Sequence, residues 1–235
     1  FDRHPQESSL DNTTANSDQT PATTANDIAV IGLSGQFPEA DDVYQFWENL
    51  ISGHNGVTEL PPEYLDLQHD YIDTKQPGKS YSKWGGILKN RAHFDPLFFS
   101  LSPKDAESMN PNQRLTLQEG WKALEDAGYN PKTLNDNKIG IFVGTEPVRY
   151  GSTNFTGASE ALTASRLSYY LNLKGPALVV NTGCSSSGVA LHLACESLRN
   201  GESDMALAGG VHVGLDREAL ASTSAIEMLS PKGRC

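Results

Sequence analysis

Basic residues are in short supply: 18 Lys and Arg stand against 29 Asp and Glu, a formal net charge of −11. Phosphate backbones are held by clustered Lys and Arg, so this balance argues against a nucleic-acid surface. Long apolar runs are missing as well. No stretch approaches the roughly 20 residues that a membrane helix needs, and the start of the chain lacks the basic-then-apolar order of a secretory signal. Cysteine is scarce: Cys184, Cys195 and Cys235 show neither metal-ligand spacing nor an even disulfide set. A reduced, cytoplasmic setting is therefore expected, with no bound metal. If Cys184 and Cys195 share a helix, they stand roughly 16 Å apart along it, beyond disulfide reach.

Large apolar side chains are also thin among residues 1–26, which are crowded with Ser, Thr, Asn, Asp and Gln. Such a segment cannot bury enough surface to offset the entropy of ordering, so a disordered linker is expected there and a folded domain over 27–235. The acidic residues concentrated between Glu39 and Asp73 read as a solvated face. The chain starts with Phe and stops abruptly at Cys235, so it is expected to be cut from something longer.

From Asp27 onward, apolar clusters alternate with turn residues. Asp27 to Leu33 reads as a buried strand. A helix is expected after it, capped by Asp41 or Asp42, striped by Phe46, Trp47, Leu50 and Ile51, and stopped by a left-handed Gly53. Residues His54 to Phe99, rich in Gly, Pro and aromatics, form a long excursion with short strands at most. Ser102-Pro103 reads as an N-cap with proline at the first helical position, opening a helix that Pro111 breaks or restarts. Leu115, Leu117, Trp121 and Leu124 carry that helix toward Gly128. Further strands are expected at Ile139 to Val143, Ala177 to Val180 and Met205 to Ala208 with Val211. Helices are expected at Ala158 to Leu173, Ser185 to Leu198 and Arg217 to Met228. This alternation implies a mostly parallel sheet with helices on both faces, an α/β fold.

The segment from Leu178 to Cys195 carries the most chemical information. A buried strand runs through a glycine-containing turn into a helix that opens with Cys184 and three serines, the layout of a nucleophile elbow. A thiol there meets unpaired backbone N–H groups and the positive end of the helix dipole, both of which favour thiolate. Val189, Ala190, Leu191, Leu193, Ala194 and Leu198 surround the helix with apolar groups, so a central buried helix is expected. By pattern alone Cys184 is as readily a small thiol filling a core gap as a nucleophile. Cys195, mid-helix among alanine and leucine, reads as packing, and Ser185, Ser186 and Ser187 as capping and packing residues. No base is evident: His192 lies about 12 Å along the helix from Cys184. His4, His54, His69, His93 and His212 read as ordinary polar residues.

Asn181-Thr-Gly-Cys-Ser-Ser-Ser187, Val189 to Leu198 and Met205 to Val211 closely resemble the active-site region of ketosynthases, the β-ketoacyl synthase domains of modular polyketide synthases. Six further segments resemble the same family in the same order: Asp27 to Pro38, Phe94 to Phe99, Asn110 to Arg114, Leu124 to Gly128, Leu173 to Pro176 and Leu229 to Cys235. The resemblance implies a thiolase-like fold of two similar halves, this chain supplying the amino-terminal one, with a mixed, mostly parallel five-stranded sheet. It implies Cys184 as the nucleophile, with its backbone N–H as an oxyanion donor. It further implies acyl delivery on the phosphopantetheine arm of an acyl carrier protein, condensation with a malonyl-type extender, no bound cofactor, and a homodimer within the rest of the synthase. The family's catalytic histidines and lysine match no position here.

Asn181 and Gly183 stand where the family more often has Asp and Ala, and Asn110-Pro-Asn replaces a more usual Asp-Pro-Gln. The first two resemble ketosynthases served by separate acyltransferases. Two alternatives accompany the elongating enzyme: a ketosynthase-like domain that only passes the acyl chain onward, and an inactive structural or interaction piece. A decarboxylating or chain-length-factor relative would typically replace the cysteine, so Cys184 argues against those.

Overall fold

A computed structural model describes residues 27–151, 154–214 and 216–234. The expected linker over 1–26 and Cys235 lie outside the described residues. Helix α1, Val43–Ser52, starts where Asp42 Oδ1 accepts from the N–H groups of Tyr44 and Gln45 at 2.9 and 2.8 Å. It stops at Gly53, whose φ of 67° is the left-handed turn that lets its N–H reach back to the last carbonyls.

The excursion that follows contains only β1, Thr58–Glu59, and β2, Trp84–Gly85, which pair antiparallel. Then come α2, Pro103–Ser108, capped by Ser102, and α3, Pro111–Asp126, capped by Asn110. Pro111 thus restarts the helix, because it occupies a first-turn position where no N–H is needed. Strand β3 spans Ile139–Thr145, and the single turn α4 spans Phe155–Ala158. Helix α5, Leu162–Leu171, is shorter than the periodicity predicts; its left-handed cap is Asn172, at φ 52°. Strand β4, Ala177–Val180, leads to α6, Ser186–Arg199. Strand β5, Met205–Val211, is followed by α7, Arg217–Ala225, which ends three residues early because Glu227 turns left-handed at φ 59°.

The main sheet has the order β4-β3-β5, parallel throughout. Alternation along β3 sets its two faces. Ile139, Ile141 and Val143 join Leu117, Trp121, Leu124, Leu167 and Leu171 of α3 and α5 in the largest core cluster, while Phe142 packs on Ala190 and Ala194 of α6. Helices therefore cover both faces, as the period-two pattern requires. Phe94 and Phe99 stack with ring centroids 5.2 Å apart, and Phe99 also meets Trp121 and Tyr170, so the aromatic motif after the excursion is a core element.

Two expectations change. Five strands are expected in the sheet, but the described sheet has three, and Asp27 to Leu33 forms no strand. That segment lies against the end of α3 instead, where Leu33 N–H donates to Asp126 Oδ2 at 2.8 Å and Gly32 sits close to the Ala123 carbonyl. An apolar run becomes a strand only where a neighbouring edge can take its backbone, and here Val30 is 76% exposed. The stripe on α1 is likewise largely uncovered among the described residues: Trp47 is 60% exposed, while Phe46 stacks on Phe37 at 4.0 Å.

Candidate active site

The carboxyl ends of the three parallel strands converge on one side of the sheet, the place where such folds present loops that bind and react. β4 arrives first. Beyond Val180, the chain turns through Asn181, Thr182 and Gly183, whose φ of 66° is a left-handed position that glycine accepts without strain. Asn181 Oδ1 accepts from the Gly183 N–H at 3.2 Å, so the uncharged side chain of Asn181 braces the turn. Cys184 stands next, with its thiol exposed and free.

Of the capping and packing expected of the serines after it, the capping is absent. Ser185 is already helical, at φ −91° and ψ −1°, and caps nothing; its Oγ donates back to the Thr182 carbonyl at 2.9 Å. Ser186 is buried, accepting from the Thr182 N–H at 2.9 Å and donating to the Gly183 carbonyl at 2.7 Å. The elbow is closed by hydroxyls that grip the turn on either side of Cys184. Helix α6 starts at Ser186, two residues later than Cys184, so its first N–H groups face the turn that carries the thiol.

α6 is covered on one face only. Ser186, Ala190, Ala194 and Ser197 form the buried stripe against the sheet, whereas Leu191 is 55% exposed and His192 is exposed beside it. The expectation of a helix buried all round is corrected in this respect: Ala190 and Ala194 are buried and Val189, Leu193 and Leu198 half-buried, but Leu191 is left exposed. Cys195 is half-buried and free, in keeping with a packing role.

The other strand ends are pinned by α3. Asn112, buried in its first turn, donates to Thr145 Oγ1 at the end of β3 at 2.9 Å and accepts from the Val213 N–H beyond β5 at 3.2 Å. Gln113 is fully buried beside it. Its Nε2 donates to the carbonyls of Thr156, Gly157 and Ser159, and its Oε1 accepts from Arg166 Nε at 2.6 Å. Burial pulls the Arg166 guanidinium below its ordinary value, the carboxylate of Asp105 working the other way. Thus Asn110-Pro-Asn-Gln-Arg114 holds the loop over 154–159 and two strand ends, roles that its spacing does not disclose.

No histidine joins Cys184 among the described residues: His192 points away from the sheet face, His69 pairs with Asp66, and His212 is exposed beyond β5. Among the described residues no group of three or more His, Cys, Asp or Glu could hold a metal, and no helix is long and apolar enough to cross a membrane. A cavity of about 740 Å³ runs along the unpaired edge of β5, between Leu207 and Val211, α3 and the segment Ser34 to Pro38. Cys184 is not in its wall.

Comparison with known proteins gives a consistent result. Residues 25–235 match the family "Beta-ketoacyl synthase, N-terminal domain". The chain is 45% identical over 216 residues to polyketide synthase PksL of Bacillus subtilis (strain 168), covering 88% of this chain and 5% of that protein. It is 42% identical over 227 residues to polyketide synthase ThaG of Burkholderia thailandensis, covering 92% and 4%. The solved ketosynthase from module 6 of the bacillaene synthase of Bacillus subtilis 168 superposes with a TM-score of 0.80 at 44% identity, over 88% of this chain and 35% of that one. The oxazolomycin ketosynthase domain OzmH KS7 of Streptomyces albus JA3453 gives 0.82 at 39%, over 88% and 37%. The chain therefore spans about a third of the solved domains that it matches and a far smaller share of the relatives.

Proposed function

The chain belongs to the β-ketoacyl synthase family, with its thiolase-like fold, and on that premise we propose that a complete ketosynthase containing it extends acyl chains through a thioester on Cys184. The single observation that carries this is the placement of Cys184: an exposed thiol on a glycine turn between β4 and α6, at the carboxyl end of a parallel sheet.

The chemistry follows from sulfur. An acyl group on the phosphopantetheine arm of an acyl carrier protein undergoes attack by the Cys184 thiolate at its carbonyl carbon. The carrier thiol leaves, and the acyl group is now a thioester of the protein. A malonyl-type extender then loses carbon dioxide, and the electron pair left behind attacks the Cys184 thioester, forming a carbon–carbon bond and expelling the thiolate. Oxyanion charge develops at the same carbonyl in both steps, and the backbone N–H of Cys184 is the donor we assign to it.

The partners implied are the acyl carrier protein, the remainder of the synthase and a second ketosynthase. No metal or bound cofactor takes part, and the setting is cytoplasmic. Asn181 and Gly183 further favour a synthase whose acyltransferases are separate proteins. Incubating the complete ketosynthase with an acyl thioester and a malonyl carrier protein tests the reading. Carbon dioxide and a β-ketoacyl product in equal amounts are expected; acyl transfer with neither would show a domain that only relays the chain. The isolated piece, residues 27–235, is expected to be inactive.

A further inference from the structure

Glycine occurs at the same level on two adjacent strands beneath the nucleophile. Gly144 of β3 and Gly210 of β5 are register partners, and both lie on the sheet face that α6 covers, the face of Phe142 and Ala206. A Cβ added at Gly144 would lie 2.4 Å from both Ser186 C and Ser187 N, inside the backbone of the first turn of α6. At Gly210 it would lie 2.6 Å from the Ser187 Cβ. Gly209, one residue away on the opposite face, and Gly188, in the same helix, have nothing within 4 Å. Neither Gly144 nor Gly210 has positive φ, so the requirement is for space and not for backbone freedom.

We propose that Gly144 and Gly210 are positioning residues that set the location of Cys184, with Ser186 as the link between them and the thiol. This rests on the reading of Cys184 as the nucleophile. The two glycines form a side-chain-free seat on which the Ser186-Ser187 backbone rests directly on the sheet. Ser186 Oγ, bonded to the Thr182 N–H and the Gly183 carbonyl, carries that position to the turn on both sides of Cys184. Raising the seat by one methyl group lifts the turn and moves the thiol away from an acyl carbonyl held by the rest of the site. Misplacement near 1 Å costs on the order of a hundredfold in rate.

The test uses acyl loading of the complete ketosynthase, followed by mass spectrometry as a function of acyl-donor concentration. Gly210→Ala is expected to lower the maximal loading rate tenfold or more, with KM little changed, and Gly209→Ala to load at the parental rate. The new methyl at 210 meets only the Ser187 side chain closely, so Ser187→Gly combined with Gly210→Ala should restore loading to the level of Ser187→Gly alone. The same second change should not rescue Gly144→Ala, whose methyl meets backbone. Ser186→Ala introduces no clash and should lower the maximal rate while leaving KM in place, its fold being checked against the parent by circular dichroism. Parental maximal loading by Ser186→Ala or Gly210→Ala, or a double variant no better than Gly210→Ala, would overturn the positioning role. Loading that persists in Cys184→Ala would instead overturn the nucleophile on which it rests.

Discussion

At the scale of single residues, the turn around Cys184 is held by short-range hydroxyl and amide bonds whose partners are all within four positions. That is why its outline is legible in the sequence: strand, glycine and helix start are local patterns, and Asn181, Gly183 and Ser186 act on their immediate neighbours. Ser185 reads as a cap because a serine before a helix usually is one, yet its hydroxyl turns back to Thr182. Glu160, near the start of α5, shows the opposite kind of information. Burial raises its carboxyl above the ordinary value, which nothing in its sequence neighbours signals. A raised acid penalises the folded state once it ionises, so this group costs stability as pH rises from the ordinary carboxylate range through its folded pKa. Glu160→Gln should therefore raise Tm at pH 7 and leave it unchanged well below the ordinary carboxylate range; an equal shift at both would contradict that cause.

At the scale of elements, capping explains the agreement and side-chain reach explains the surprises. Asp42, Ser102 and Gly53 stand at helix ends where their chemistry predicts them. What Asn112 and Gln113 do is hidden from the sequence, because their partners lie more than 30 positions away, at Thr145, Val213, Arg166 and the loop over 154–159. Gln113→Leu keeps the volume but takes one donor from each of three carbonyls, which keep those of Asn110, Leu162 and Arg166, and leaves the Arg166 Nε–H without its partner. With about 1–3 kcal/mol for a buried group left unsatisfied, a loss of roughly 1–3 kcal/mol in unfolding free energy is expected. Denaturant unfolding measures it, and a loss under about 0.5 kcal/mol, the range of ordinary surface changes, would show that the loop is held by other means. The glycine seat is equally out of view: a glycine inside a strand signals close approach, but not of what. The long excursion is anchored in the same distant fashion. Ser80 and Ser224 share a hydrogen bond of 3.1 Å, Tyr81 Oη donates to the Leu229 carbonyl, and Leu60 and Leu65 pack with Leu220.

At the scale of the whole molecule, the described residues form two packed interfaces and leave a third open. α3 and α5 bury one sheet face and the inner stripe of α6 buries the other, but Leu191, the α1 stripe, Val30 to Leu33 and the edge of β5 face solvent. The five strands that the resemblance implies are three in the described sheet, and of the four apolar runs read as strands Asp27 to Leu33 finds no edge, because pairing is a property of the assembled sheet. Exposed apolar side chains in such number on several elements favour association with another surface. Residues 27–235 expressed alone should therefore bind a hydrophobic dye strongly and self-associate at micromolar concentration. A dye-silent monomer by light scattering would contradict that expectation.

The central claim concerns one sulfur atom, so the most direct measurement reads that atom. A complete ketosynthase containing this chain, exposed to an acyl thioester and digested, should carry the acyl mass on the peptide that holds Cys184, and on no other described cysteine. Cys184→Ala should carry none. Acyl label found on Cys195, or retained in full by Cys184→Ala, would contradict the account.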